Sequence, residues 1–280
     1  MFQYAAALSV AKKNQTDLYV DISSFSRYEL HNGFELNNVF DISCPVADDG
    51  SVSSVIGWQS VPLFFRLLRK PLLEGIRYKN FIVEPHIHYW SDIERVSDNS
   101  YLLGYWQSER YFDSIVSDVR KAFRFRNQLS APALELSTQI GSVNSVSLHI
   151  RRGDYITNSK ANALMAECSI EYYNRAIDHV RNKLLEPHFF VFSDDLNWAE
   201  DNLKLDFPTT YVDINRGEDS YNDMRLMSMC HSNIIANSSF SWWGAWLNTN
   251  ADKIVISPSR WFKKINMRCN DLIPLNWERM

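Results

Sequence analysis

His149, Arg151, Arg152 and Asp154 stand together in one short run, VSLHIRRGDY, from Val146 to Tyr155. The alternation of Val146, Leu148 and Ile150 reads as a strand that delivers these polar groups to its end, and Gly153 allows a sharp exit. Two neighbouring guanidiniums repel unless an anion lies close. A diphosphate meets that need, because the planar fork of Arg binds phosphate oxygens bidentately and never loses its charge. Local acids would meet it too, leaving a surface strand end laced with salt bridges. Strand alternation puts His149 and Arg151 on one face and Arg152 on the other, so the first two are expected to face a ligand. Arg152 either joins them or pairs with an acid.

Two further polar clusters close apolar runs. Ser193, Asp194 and Asp195 end HFFVFSDD, where carboxylates can accept hydrogen bonds from a guanine edge or ribose hydroxyls. The Asp pair could instead hold Mg or Mn beneath a diphosphate, or cap the helix that starts before Trp198. Asn237, Ser238 and Ser239 lie between NIIA and a helix carrying Trp242, Trp243 and Trp246. Free amides and small hydroxyls at such a helix start make an anion site, and Ser238 or Ser239 can cap the helix as well. Trp242 and Trp243 read as core rather than as a sugar-stacking platform. His86 and His88 share a strand face without a third ligand at metal spacing, and Asp213 and Asp223 read as structural.

Elements that could position these clusters follow from periodicity. In the second half, strand VSLHI, a helix over 169–185, strand HFFVFSDD, a helix over 198–203 and strand TTYVDI follow in turn. Ser220 and Asp223 mark the start of a helix to Cys230, as an S-x-x-D capping pair. Strand NIIAN, a helix over 241–248 and strand KIVIS complete an α/β order that implies a parallel sheet wound with helices. Ligands of such sheets bind beyond the carboxyl ends of the strands, where all three polar clusters fall.

The first half is less regular: a helix over 2–13, strands DLYVDI, NFIVE and YLLGY, then a helix over 111–125. PLFFRLLRKPLL, over 62–73, is apolar with basic interruptions; it reads as a helix packed on its own domain, a membrane surface being the alternative. The domain boundary is expected within 127–142, dividing 1–135 from 136–280.

With 280 residues, 45% hydrophobic and 22% charged, the chain can bury a sizeable core. A net charge of -4 excludes bulk electrostatic binding to nucleic acid, so an anion site must be a local basic pocket. Cys44, Cys168, Cys230 and Cys269 lack C-x-x-C spacing, which suggests neither zinc nor a disulfide framework and favours a reducing cytoplasm. No apolar run reaches the ~20 residues that span a bilayer.

Taken together, MFQYAAALSVAKKN, YLLGYWQSERYF at Tyr101–Phe112, HIRRGDY, FSDD and DMRLMSMCHSNIIANSSFSWWGAWLN at Asp223–Asn248 resemble the bacterial alpha-1,2-fucosyltransferases of glycosyltransferase family eleven. The match runs nearly the length of the chain. Members usually precede MFQYA with a short strand and a GGLGNQ turn. Here the sequence starts at Met1, so a gap or an unpaired edge is expected in the N-terminal sheet, with fewer backbone amides near the donor.

The resemblance implies a GT-B architecture, two Rossmann-like domains with parallel sheets facing across a cleft. The N-terminal one would take the acceptor and the C-terminal one GDP-fucose. It implies inverting, metal-independent transfer of L-fucose to the 2-hydroxyl of a galactose-type acceptor, free or lipid-linked as in O-antigen and cell-surface polysaccharide synthesis. No cofactor is expected, and the location would be cytoplasmic, at most peripheral at the inner face of the membrane. A metal-dependent transferase using Asp194 and Asp195, or a non-catalytic sugar- or nucleotide-binding module, is the alternative. Donor contacts are expected from Gln3, His149, Arg152, Ser193, Asp194, Asp195, Asn237, Ser238 and Ser239, with Arg151 stabilising the leaving diphosphate. Asp154 is either the base for the acceptor hydroxyl or the partner of Arg152.

Overall fold

The computed structural model describes residues 1–25, 33–153, 159–203, 205–263 and 270–280. Asp154, the expected base, lies outside them, as does Cys269. The chain divides into two compact units, Met1–Asn127 with Asn270–Pro274, and Gln128–Cys269 with Leu275–Met280. The division falls at 127/128, ahead of the 135/136 expected from sequence. Most of the 127–142 stretch in which the boundary was expected is a helix, because Ala133, Leu136 and Ile140 recur at helical spacing and are buried.

The first unit holds helices α1 (Phe2–Asn14), α2 (Leu36–Val39), α3 (Asp49–Ile56), α4 (Pro62–Leu68) and α5 (Val116–Ala122). Its strands β1 (Phe81–Val83) and β2 (Tyr101–Leu103) pair in parallel, Phe81 opposite Tyr101. Among the described residues this two-stranded sheet is the unit's whole sheet, short of the Rossmann-like domain expected. The expected strand DLYVDI reduces to a single bridge between Val20 and Val46. Aromatic packing replaces sheet packing: Phe65 stacks on Phe81 with ring centroids 5.4 Å apart, and Phe40 meets Phe123 at 5.0 Å.

The second unit is built on six parallel strands, β3 (Asn144–Ile150), β4 (Pro187–Ser193), β5 (Thr209–Tyr211), β6 (Ser232–Ile234), β7 (Val255–Ser257) and β8 (Glu278–Arg279), in the order β5-β4-β3-β6-β7-β8. Its helices are α6 (Ala131–Ser142), α7 (Ser159–Leu164), α8 (Ile170–Arg181), α9 (Leu196–Asn202), α10 (Tyr221–Met229) and α11 (Ser239–Leu247).

Strand alternation gives the sheet two apolar faces. Val146, Leu148, Ile150, Phe189 and Val191 pack with Tyr173, Ile177 and Ala199 of α8 and α9. Phe190 and Phe192 pack on the other side with Leu136, Ile140, Leu226 and Met227 of α6 and α10. Gly244 lets α11 approach α10 closely, since a Cβ there would lie 3.0 Å from the Met227 Cβ. Trp242 and Trp243 are buried core, as expected, and not a sugar-stacking platform.

Candidate functional site

The chain runs outward from β3 through β4 to β5, then returns to lay β6 on the opposite side of β3. The strand order therefore reverses between β3 and β6, and such a switch point opens a crevice beyond the carboxyl ends of the two strands. Leu148 pairs with Ile234, so HIRRG and ANSS leave adjacent strands at the same edge. Ile150 pairs with Ser193, which sets the exit of β4 on the other flank of β3. The three polar clusters thus share one sheet edge on three consecutive strands.

Asp194 ties two of these exits together. Its Oδ1 accepts the Arg152 backbone N–H at 2.8 Å, its Oδ2 accepts that of Gly153 at 3.0 Å, and the Arg151 guanidinium lies 3.2 Å away. Two amides and a cation on one carboxylate make a charge-assisted latch that fixes the path of the chain after β3. A Cβ on Gly153 would sit 3.1 Å from Asp194 Oδ2, so a side chain there would press on the latch. Arg151 is a quarter exposed and brings a permanent positive charge to the edge.

Arg152 is enclosed by protein groups. Its guanidinium lies 3.0 Å from Glu167 and 3.5 Å from Asp195, and stacks over the Trp198 ring at 4.3 Å. This is the ion-pair role open to it in the sequence. Asp195 accepts the Trp198 N–H at 3.2 Å and caps α9, while the Ser193 hydroxyl accepts the Asp195 N–H at 2.9 Å. Ser193, Asp194 and Asp195 therefore shape loops around the edge. Among the described residues no group of three or more His, Cys, Asp or Glu is arranged to hold a metal ion.

The expectation for His149 needs correction. It shares the strand face of Arg151 yet is only 4% exposed, its ring 5.8 Å from that of Phe240, because the last inward position of β3 still lies within the packed layer. Burial, and secondarily the Arg151 charge, hold its imidazole pKa down at about 3. It is neutral at pH 7 and brings no charge to an anion. Its Nδ1 is buried without a hydrogen bond among the described residues.

Asn237 is also corrected, from ligand contact to clamp. Fully buried, it donates from Nδ2 to the Ala166 and Trp261 carbonyls, the latter at 3.0 Å, while its Oδ1 accepts from the Cys168 thiol at 3.4 Å. Ser238 caps α11, its hydroxyl accepting the Phe240 N–H at 3.3 Å, and Ser239 is exposed in the first turn. Gln3 belongs to the first unit, is exposed, and donates to the Gly104 carbonyl at 2.7 Å.

The expected S-x-x-D capping pair does not form. Ser220 has helical backbone angles and makes no side-chain cap; Asp223 instead accepts a hydrogen bond from Asn215 at 2.7 Å. Burial pushes the Asp223 pKa up to about 7, against that hydrogen bond and with the Asp213 charge adding to the rise. Asp223 opens α10 after the carboxyl end of β5, beside Asn222, whose side-chain oxygen is buried without a hydrogen bond among the described residues. Its bond to Asn215 gives Asp223 a structural place, as the sequence suggested, though not as the helix-capping partner of Ser220.

Comparison with known proteins places this arrangement. The chain is 34% identical over its full length to an alpha-1,2-colitosyltransferase from Escherichia coli, covering 94% of that protein. It is 36% identical to the O-antigen biosynthesis glycosyltransferase WbnK of Escherichia coli, over 94% of this chain and 91% of the relative. The fold resembles the crystal structure of NodZ alpha-1,6-fucosyltransferase soaked with GDP-fucose, with a TM-score of 0.51, 16% identity and coverage of 88% of this chain and 87% of NodZ. The family model for glycosyl transferase family 11 matches residues 81–279, which takes in the β3 exit, the Asp194 latch and the α11 start: the chain belongs to that family and is a glycosyltransferase.

Proposed function

We propose that the protein transfers L-fucose from GDP-fucose to the 2-hydroxyl of a galactose-type acceptor, with inversion and without a metal. The observation that carries this reading is that Arg151 and the amide-bearing start of α11 follow the carboxyl ends of the adjacent parallel strands β3 and β6, at the switch point. Both favour a diphosphate. In the reaction the acceptor oxygen attacks the anomeric carbon of a beta-linked donor. The bond from that carbon to the diphosphate breaks, and GDP leaves with the electron pair. Arg151, the α11 amides and the hydroxyls of Ser238 and Ser239 stabilise the charge that develops on it.

The acceptor proton passes to a base, assigned to Asp154. Its alternative work, neutralising Arg152, is already done by Glu167 and Asp195. The GT-B arrangement, with the second unit taking the donor and the first the acceptor, belongs to this proposal, as does a peripheral cytoplasmic location. Among the described residues no helix is long and apolar enough to cross a membrane.

A second donor is favoured by one specific observation, the full-length similarity to an alpha-1,2-colitosyltransferase. A panel of galactosides incubated with GDP-fucose or with a colitosyl donor, followed by linkage analysis, separates the two. An α1,2-fucosylated galactoside formed in EDTA is the expected product. Transfer only from the colitosyl donor would replace the fucosyl reading, and nucleotide binding without transfer would overturn the enzymatic one. Arg151→Ala should lower the rate about 100-fold or more.

A further inference from the structure

The first unit carries an apolar surface that its own core leaves uncovered. Helix α4 turns Phe65 and Leu68 inward onto the cluster of Ile56 and Phe81. Leu63, Phe64 and Leu67 point away from it, Leu63 being 65% exposed. In the following turn, Leu72 is 94% and Ile76 58% exposed. Trp58, itself exposed, joins the patch through ring contacts with Phe64 at 5.1 Å and Tyr78 at 6.3 Å. The sequence expectation that this segment packs on its own domain therefore fails for all but one stripe of the helix.

Charge decides what covers the patch. Between Trp58 and Lys79 lie five basic residues, Arg66, Arg69, Lys70, Arg77 and Lys79, against the single acid Glu74, in a chain whose net charge is -4. Four of the five are exposed, and Arg77 faces Glu74 at 3.6 Å. Exposed leucines and aromatics with a basic rim are the composition of a segment that lies in a bilayer interface. A symmetric pairing of two copies would set this positive rim against itself, so charge complementarity favours an anionic lipid surface over a second copy of the chain.

We propose that the 58–79 face docks the enzyme on an anionic membrane surface, with Leu63, Phe64, Leu67 and Leu72 entering the headgroup boundary and Arg66, Arg69 and Lys70 meeting lipid phosphates. The inference does not depend on which sugar is transferred.

Co-sedimentation of the full chain with vesicles tests it. The wild type pellets with phosphatidylglycerol–phosphatidylcholine vesicles at low salt, stays in solution with pure phosphatidylcholine, and is released by salt. Binding falls about fivefold for each cation neutralised, so R66Q/R69Q/K70Q loses about 100-fold. L63S/L67S/L72S loses binding with its far-UV spectrum unchanged. Failure of the wild type to pellet with anionic vesicles overturns the proposal, whatever the variants do. So does a wild-type dimer in analytical ultracentrifugation that L63S/L67S/L72S dissociates, since that assigns the face to a second copy.

Discussion

The two units handle large apolar side chains in opposite ways. In the second, a six-stranded sheet offers two broad faces to helices, so large apolar side chains such as Phe190, Phe192 and Trp242 vanish into it. Polar groups at its strand exits are held there by backbone amides, as Asp194 is by those of Arg152 and Gly153. In the first unit two three-residue strands offer little face, and Leu63, Leu72 and Ile76 stay outside. The strand exit of the first unit is tied in the same way: the Glu84 carboxylate, directly after β1, accepts the N–H groups of Tyr105 and Trp106 at 2.7 and 3.0 Å, and burial raises its pKa. A sheet edge thus suits a small anionic ligand that must be fixed in place. An exposed apolar and basic surface suits a broad partner bound without fixed geometry.

The largest effect should come from the latch. Asp194→Ala removes the carboxylate that accepts the Arg152 and Gly153 amides and faces the Arg151 guanidinium. It should cost about 2.7–4 kcal/mol in transition-state stabilisation, read as a 100- to 1000-fold loss in GDP release, and about 1–3 kcal/mol in thermal unfolding. Unchanged turnover would mean that Arg151 needs no anchoring, and the contrast between a fixed edge and a loose surface would fail.

Next comes a pH effect with a definite sign. The His149 pKa lies near 3 in the folded chain against an ordinary 6.5, so the unfolded chain takes up a proton first as pH falls. The stability tied to neutral His149 is whole above pH 6.5 and is lost as pH drops toward 3, about 2 kcal/mol between pH 6.5 and 5. Asp223, raised from 3.8 to about 7, works the other way: its contribution is whole below pH 3.8 and is lost as pH rises to 7. Denaturant unfolding of His149→Gln across this range should show a flatter acid limb than the wild type. Asp223→Asn should remove the opposing slope. A wild-type acid limb in His149→Gln would place that residue in water.

What the sequence made legible follows the same division. The alternation of Val146, Leu148 and Ile150 and the apolar FFVF run identified β3 and β4, and with them the edge carrying HIRRG and FSDD, because strand periodicity is a local property. Which groups at that edge stay accessible was not local. His149 is sealed by Phe240 and Asn237 is spent on Ala166 and Trp261, partners 91, 71 and 24 residues away in sequence. Strand β8, two residues long, exists only through pairing with β7, and α6 fills most of the 127–142 stretch expected to hold the domain boundary, its apolar stripe of Ala133, Leu136 and Ile140 being only three residues. In the first unit, the apolar run at 62–68 correctly signalled a helix but not that just one of its faces would find a core.

A smaller effect belongs to helix contact in the second unit. Gly244→Ala pushes a Cβ to 3.0 Å from that of Met227 and 3.4 Å from the Met224 carbonyl, where α11 and α10 cannot part without disturbing Trp242 and Trp243. Overpacking of this kind should cost about 1–2 kcal/mol in urea unfolding.

The smallest effect is the sharpest test of the comparison, because it asks a leucine to contribute almost nothing. Leu63 and Leu68 share one helix turn and a half, yet Leu63 is 65% exposed and Leu68 is buried at 3%. Leu63→Ser removes apolar surface that water already covers, so the unfolding free energy should change by no more than about 0.5 kcal/mol. Leu68→Ala, by contrast, opens a cavity against Ile56 and Phe81 and should fall in the 2–5 kcal/mol range typical of buried leucines, roughly tenfold the effect at Leu63. A measurable destabilisation by Leu63→Ser would mean that the first unit buries this surface after all. The patch would then be core, and the difference between the two units would be one of strand number alone.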